Sequence, residues 1–303
     1  MLESQTLAEN CEFETYASPD VRKAFGRIPR EPHMTHIGSS APRIDRLSLV
    51  SIAVVAYALA NLVHEGIGHA GTCIALGGRL LAFSAVHAQC DVASGAASGA
   101  VMAAGTVANL LAGAVALLML RRWTSLAVSG RLFLWLFMTV SFLQGTGYWL
   151  FSGLANVGDW AQLVADIEPR WPYRIALAVA GGAGYRAAIG LGLRTLNPFA
   201  GGGPARLARA RTLAMVPYLA GGVLYLAAGA LNPVSPRLVV VSAAAASLGG
   251  TSALAWMTRL LVKPEYPPRP DDGCMIDRSP GWLVAGIIVA VVFVGVLGPG
   301  LRF

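Results

Sequence analysis

Two imidazoles and a carboxylate fall within six residues in the segment Asn61-Leu-Val-His64-Glu65-Gly66-Ile-Gly68-His69-Ala70. Neutral imidazole is a common metal ligand, and a carboxylate beside it can act as general base in metal-assisted hydrolysis. A lone histidine here would read as a helix end reaching interfacial water. An adjacent His-Glu pair followed by a second histidine points instead to a metal, with zinc the expected ion. The histidines stand five apart, whereas the common His-Glu-x-x-His pattern has them four apart. On an ideal helix an i,i+4 pair is separated by about 40° around the axis and an i,i+5 pair by about 140°. Two arrangements resolve this. A π-bulge, eased by Gly66 and Gly68, would align His64 and His69 as ligands and leave Glu65 free as base. Alternatively, a regular helix would ligate through Glu65 and His69, with His64 as base or outer support. The bulge is the preferred reading.

A zinc site of this kind takes a third protein ligand and keeps one position open for water. Asp159 is the candidate, in Tyr148-Trp-Leu-Phe-Ser-Gly-Leu-Ala-Asn156-Val-Gly-Asp159-Trp160, and the alternative is an ordinary helix-end carboxylate. His87 is the reserve ligand.

The elements that must position these groups are set by hydropathy. Of the 303 residues, 55% are apolar and 13% charged, with a mean hydropathy of +0.58, which places the chain in lipid rather than among soluble domains. The apolar residues gather into seven runs at 47–76, 101–120, 132–154, 175–193, 213–231, 238–258 and 281–301. Each is near the roughly 20 residues a helix needs to cross a bilayer. In hydrocarbon the backbone must satisfy its own hydrogen bonds, so the runs are expected to be helical. The fold class that follows is an all-α polytopic membrane protein of about seven transmembrane helices. The first and third spans run in the same direction, so His64, His69 and Asp159 share one face of the membrane.

The net charge of +7 could suggest nucleic acid, but the basic residues sit between the spans, and no nucleic-acid partner is expected. Seventeen Lys and Arg share the side of the N-terminus and five lie opposite, with Arg186 inside a span. The positive-inside rule then predicts an integral membrane protein with a cytoplasmic N-terminus and an outer C-terminus. Residues 1–46 read as a polar cytoplasmic tail with no apolar stretch fit for a signal peptide. Cys73 and Cys90 fall on the outer side, where a disulfide is permitted, and Cys11 and Cys274 on the cytosolic side. All four are expected to be unpaired thiols.

The segment His64-Glu65-Gly-Ile-Gly68-His69 resembles the His-Glu-x-Gly-His signature of site-2 proteases, the M50-type intramembrane zinc metalloproteases. Ala104-Gly105-Thr106-Val107-Ala108-Asn109 in the second span is similar to that family's Ala-Gly-Pro-x-Ala-Asn segment. Asp159 stands where its Leu-Asp-Gly motif supplies the last zinc ligand, with Asn156 echoing an upstream Asn. The resemblance covers residues 47–165, a three-helix metalloprotease-like core, and leaves 166–303 as four further spans with a Pro-rich cytoplasmic connector at 264–280. This chain carries an extra residue between Glu65 and His69, a spacing that resembles the motif of dipeptidyl peptidase III. It has Thr106 in place of the proline and shows no PDZ-like domain. The resemblance implies a zinc-dependent peptidase in a bacterial cytoplasmic membrane, acting on membrane-protein or peptide substrates, with Glu65 as base. Asn109 would hold the substrate backbone or the developing oxyanion, the alternative being an interhelical hydrogen bond. Two other classes stay open: an ion or solute transporter using the same groups, and a metal-dependent enzyme acting on lipid or a small molecule.

Outside that core, Arg186 stands near mid-membrane and is expected to avoid lipid by pairing with a carboxylate or lining a polar cavity. Gly181, Gly182, Gly184, Gly249 and Gly250 fit close helix packing. Arg206, Arg209 and Arg211 form a basic loop expected to set topology and touch anionic lipid.

Overall fold

The computed structural model describes residues 43–233, 239–270 and 273–303. The polar tail therefore lies almost wholly outside the described residues, as does Cys11. Among the described residues, five helices are long and apolar enough to cross a membrane: α1 (Arg46–Ala75), α2 (Gly95–Arg122), α3 (Val128–Ala155), α5 (Trp171–Ala200) and α6 (Arg206–Ala230). A short α4 (Asp159–Leu163) sits between α3 and α5. The sixth apolar run is broken into a π-helix (Val239–Gly249), α7 (Ala253–Trp256) and a 3-10 turn (Met257–Val262). Its regular ladder fails at Gly249-Gly250, where the Gly250 amide donates five residues back to Ala245. The seventh run forms α8 (Pro280–Val296), shorter than the five. Hydropathy sees only composition, and so it cannot separate these broken or short segments from full spans.

α1 starts where Asp45 caps it, its carboxylate accepting from the Ser48 amide at 2.9 Å. Arg278 reaches the same carboxylate, and the Ser279 amide donates to Ser48 Oγ, so α8 begins level with α1. The two then run side by side, Gly286 against Ser51, until the Ala85 amide meets the Leu297 carbonyl. α1 and α3 form the centre of the bundle, while α5 is the least covered of the five. Tyr57 is fully buried, its ring against Gly221 and its hydroxyl 2.8 Å from Thr251 Oγ1. Gln144 donates to Tyr225, whose hydroxyl donates to the Tyr57 carbonyl, which joins α3, α6 and α1.

The fold is not purely α. Between α1 and α2 the chain makes a hairpin of β1 (Arg79–Phe83) and β2 (Ala88–Asp91), and β3 (Leu301–Arg302) adds to β1, all antiparallel in the order β2-β1-β3. The C-terminus thus lies on the hairpin side, away from the start of α1. Cys73 and Cys90 are joined in a disulfide that fastens the end of α1 to β2, and Cys274 is not a free thiol either, so the expectation of unpaired cysteines is corrected. Spacing in sequence carried no sign of this pairing, because the hairpin register is what brings Cys90 back over α1.

The connector after Val262 is folded against the bundle, with Tyr266, Cys274 and Ile276 buried. Arg206 explains part of this: it donates to the carbonyls of Leu261 and Tyr266 and to Asn197 Oδ1. Arg209 donates to the Ala200 carbonyl. Arg206 and Arg209 are buried, and they act as glue for this end of the bundle rather than as a lipid-facing loop, whereas Arg211 is exposed. Arg206→Met is expected to strand two buried carbonyls and cost on the order of 2 kcal/mol, read as a lowered thermal unfolding midpoint in detergent micelles.

Candidate metal centre

The His64–His69 spacing finds its geometry in a π-helical turn. α1 is regular through Leu62, π-helical over Val63–Gly71, and regular again at Thr72–Ala75. The widened turn brings residues five apart onto one side, and the two rings meet with centroids 4.8 Å apart at 79°. A neighbouring backbone must then come very close, and glycine permits it at two positions. A Cβ on Gly68 would stand 2.5 Å from the Cα of Gly105. A Cβ on Gly105 would stand 2.6 Å from His69 Nε2 and 2.7 Å from His64 Nε2. The crossing of α1 and α2 at this glycine pair therefore leaves just the room the two imidazole nitrogens occupy.

Asp159 arrives from a separate element. α3 ends at Asn156, which adopts the left-handed conformation (φ 57°), and Gly158 follows with φ 90°. This turn reverses the chain so that α4 points its first residue back into the bundle. Asn156 is exposed and serves the turn, away from the histidines. Trp160 anchors the segment, its indole donating to Thr106 Oγ1 at 2.9 Å. The residue in place of the family proline thus holds the aspartate's neighbour. Arg174 of α5 donates to the carbonyls of Gly153 and Leu154 and closes the end of α3.

Asp159 Oδ2 lies 3.5 Å from His64 Nε2 and 3.4 Å from His69 Nε2. The three residues form the single group of metal-ligating type found among the described residues, with ligand atoms all within 4.8 Å of one another. The carboxylate contacts are long for charge-assisted hydrogen bonds, which run at roughly 2.7–2.9 Å. They do match the edge of a tetrahedron of ligands, about 3.4 Å when each bond is near 2.0–2.1 Å. His64 Nε2 and Asp159 Oδ2 are also buried without a hydrogen-bond partner, a costly arrangement that a shared cation would relieve. The residues present could hold a metal ion.

The far ring nitrogens are fixed as metal-bound histidines require. His69 Nδ1 lies 2.7 Å from the Val101 carbonyl, which can only accept, so Nδ1 carries the proton and Nε2 keeps its lone pair. The Asn109 amide lies 3.4 Å from His64 Nδ1, and its Oδ1 is buried and unbonded. Placing Oδ1 toward the ring satisfies the oxygen and leaves the His64 Nε2 lone pair facing Asp159. Asn109 is 1% exposed, with its side-chain amide against His64.

Glu65 and His69 border a cavity of 660 Å³ that runs between β2, α3 and the segment around Gly250. Tyr148 lines it too, its ring stacked on His64 at 4.7 Å, and its hydroxyl makes no hydrogen bond among the described residues. His87 borders the cavity but is not part of the three-ligand group. Tyr148, Gly105 and the Thr106–Trp160 bond are the contributors that sequence reasoning missed. Only the Gly158 turn, two residues after an Asn, carried a local signal.

No family model, no curated protein and no solved structure matches the chain. Gly105→Ala is expected to push both imidazoles off their positions. Divalent metal bound per purified chain, measured by plasma mass spectrometry after dialysis against zinc, should fall to background while helical circular dichroism is kept.

Proposed function

We propose that this chain is a membrane-embedded zinc-dependent peptidase, a divergent relative of the site-2 proteases, with His64, His69 and Asp159 as ligands. The observation that carries the reading is the convergence of two histidines five residues apart and a distant aspartate, with His64 Nε2 and Asp159 Oδ2 buried and unbonded beside a cavity. The protein is placed in a bacterial cytoplasmic membrane with its N-terminus inside, and α8 and the broken segment 239–262 complete seven crossings. α8 supports that count, since it packs along α1 from the level of Ser48 and is followed by Leu297, whose carbonyl meets the Ala85 amide of the hairpin.

Zinc at this position would supply Lewis acidity and lower the pKa of water at its open site. The chain's own residues do the rest. Glu65, adjacent to His64 and open to the cavity, takes the proton of the attacking water and returns it to the leaving amine. Tyr148, with a free hydroxyl facing the same space, donates a hydrogen bond to the carbonyl oxygen as charge develops on it, the part first expected of Asn109. Asn109 and the Val101 carbonyl hold the imidazoles in the tautomer that keeps both Nε2 lone pairs inward. The cavity volume suits a short extended stretch of peptide and is walled mostly by apolar side chains.

The test uses full-length protein in liposomes with a quenched-fluorescence library of apolar decapeptides. Wild type should hold about one zinc per chain and cleave. Glu65→Gln should keep the zinc and lose cleavage by roughly 10²–10⁴-fold. Tyr148→Phe should keep the zinc and lower kcat by about 10²-fold with KM little changed. Zinc flux across the vesicle that persists in Glu65→Gln, with no cleavage by wild type, would assign the site to ion handling instead.

A further inference from the structure

Arg186 is the sixteenth of the thirty residues of α5, so it lies at the middle of a helix long and apolar enough to cross the membrane. Contrary to the expectation of a buried pair, its side chain is exposed on the outside of the bundle. No carboxylate of the described residues lies within ion-pair distance of it. The guanidinium lies along its own helix toward Gly190, where Nη1 stands 3.5 Å and the Tyr266 hydroxyl 3.8 Å from the place of a Cβ. That is one turn, whereas the boundary of the hydrocarbon is roughly 15 Å from its centre, beyond the reach of one arginine side chain. Around it, Val179, Ala183 and Ala187 are also exposed, a surface of mostly small side chains that lets another helix come near. α5 keeps only 22% of its apolar window buried, against 33% to 72% for the other four. An exposed cation at mid-membrane is costly unless something of opposite charge covers it.

A second copy of this chain does not supply that charge. A two-fold contact through this face would bring one Arg186 toward the other, and the one acidic residue within the five spans is Glu65, which is buried at the metal centre.

We propose that the outer face of α5 is the docking surface for a transmembrane helix of another protein, one that carries a carboxylate near its own midpoint and pairs it with Arg186. The inference rests on α5 crossing the bilayer and is independent of the peptidase reading. In hydrocarbon the pair gains strength from the absence of water, and the small side chains around it allow the helices to approach closely.

The probe is a synthetic Leu-Ala transmembrane helix with one central glutamate, compared with the same helix carrying glutamine. Association with the full-length protein is read by energy transfer in phosphatidylcholine vesicles at pH 8. The glutamate helix should associate at least about tenfold more tightly than the glutamine helix. Arg186→Met should abolish that preference and Arg186→Lys should keep most of it. In Arg186→Glu, a probe with a central lysine should become the preferred partner. An unchanged helical circular dichroism spectrum and thermal unfolding midpoint show that each variant is folded. Equal association of the two helices with wild type, or a preference that survives Arg186→Met, would overturn the proposal. Selective retention of phosphatidylglycerol by wild type, lost in Arg186→Met and accompanied by no preference between helices, would give the guanidinium to a lipid phosphate and equally overturn it.

Discussion

Everything at the candidate metal centre depends on a change of helical register inside α1. Between Val63 and Gly71 the backbone passes from α to π spacing, and only in that wider turn do residues five apart share a side. A π turn is unfavourable by itself, since it loosens the packing along the helix axis, and it persists only where the surroundings over-determine it. Here three supports converge on nine residues. Gly68 meets Gly105 at backbone distance, the Val101 carbonyl receives the His69 proton, and the disulfide from Cys73 to Cys90 pins the exit of the turn to β2. Each comes from a part of the chain other than the turn it stabilises.

The third ligand shows the same dependence from the opposite direction. α3 is the best-buried span and delivers the chain to the right end of the bundle, but a helix continuing past Ala155 would carry Asp159 away from α1. The left-handed Asn156 and the positive φ of Gly158 turn it back, and Trp160 fastens to Thr106 on the same helix that presents Gly105. α2 is thus the common brace of the centre: it makes room for the imidazoles at Gly105, steadies His64 through Asn109, accepts from His69 at Val101, and anchors the segment of Asp159. Its apolar window is only 33% buried, yet four of its residues serve the site.

Much of the buried polarity elsewhere is met inside the bundle. Arg206 and Arg209 are buried, and they donate to carbonyls at the ends of neighbouring elements. Gln144, Tyr225 and Tyr57 pass hydrogen bonds between three spans in the centre of the bundle. Arg186 differs from these two arginines in being exposed, halfway along α5.

Composition and local spacing determine a good deal about this protein. Five of the seven apolar runs are helices of spanning length, because the cost of an unbonded backbone in hydrocarbon leaves a run of that kind no alternative. The i,i+5 histidines with Gly66 and Gly68 between them favour a π turn over a regular helix that would ligate through Glu65 and His69. What the residues alone do not contain is anything that depends on which elements become neighbours. The Cys73–Cys90 bond follows from a hairpin register, the outward turn of Arg186 from how α5 lies against α3, and the duty of Asn109 from the angle at which α2 crosses α1. Periodicity tells which side of a helix is apolar, but the partner of that side is chosen by packing between residues as far as 231 positions apart. The meeting of His64, His69 and Asp159 is for that reason a property of the tertiary structure, and the sequence holds only its local preconditions.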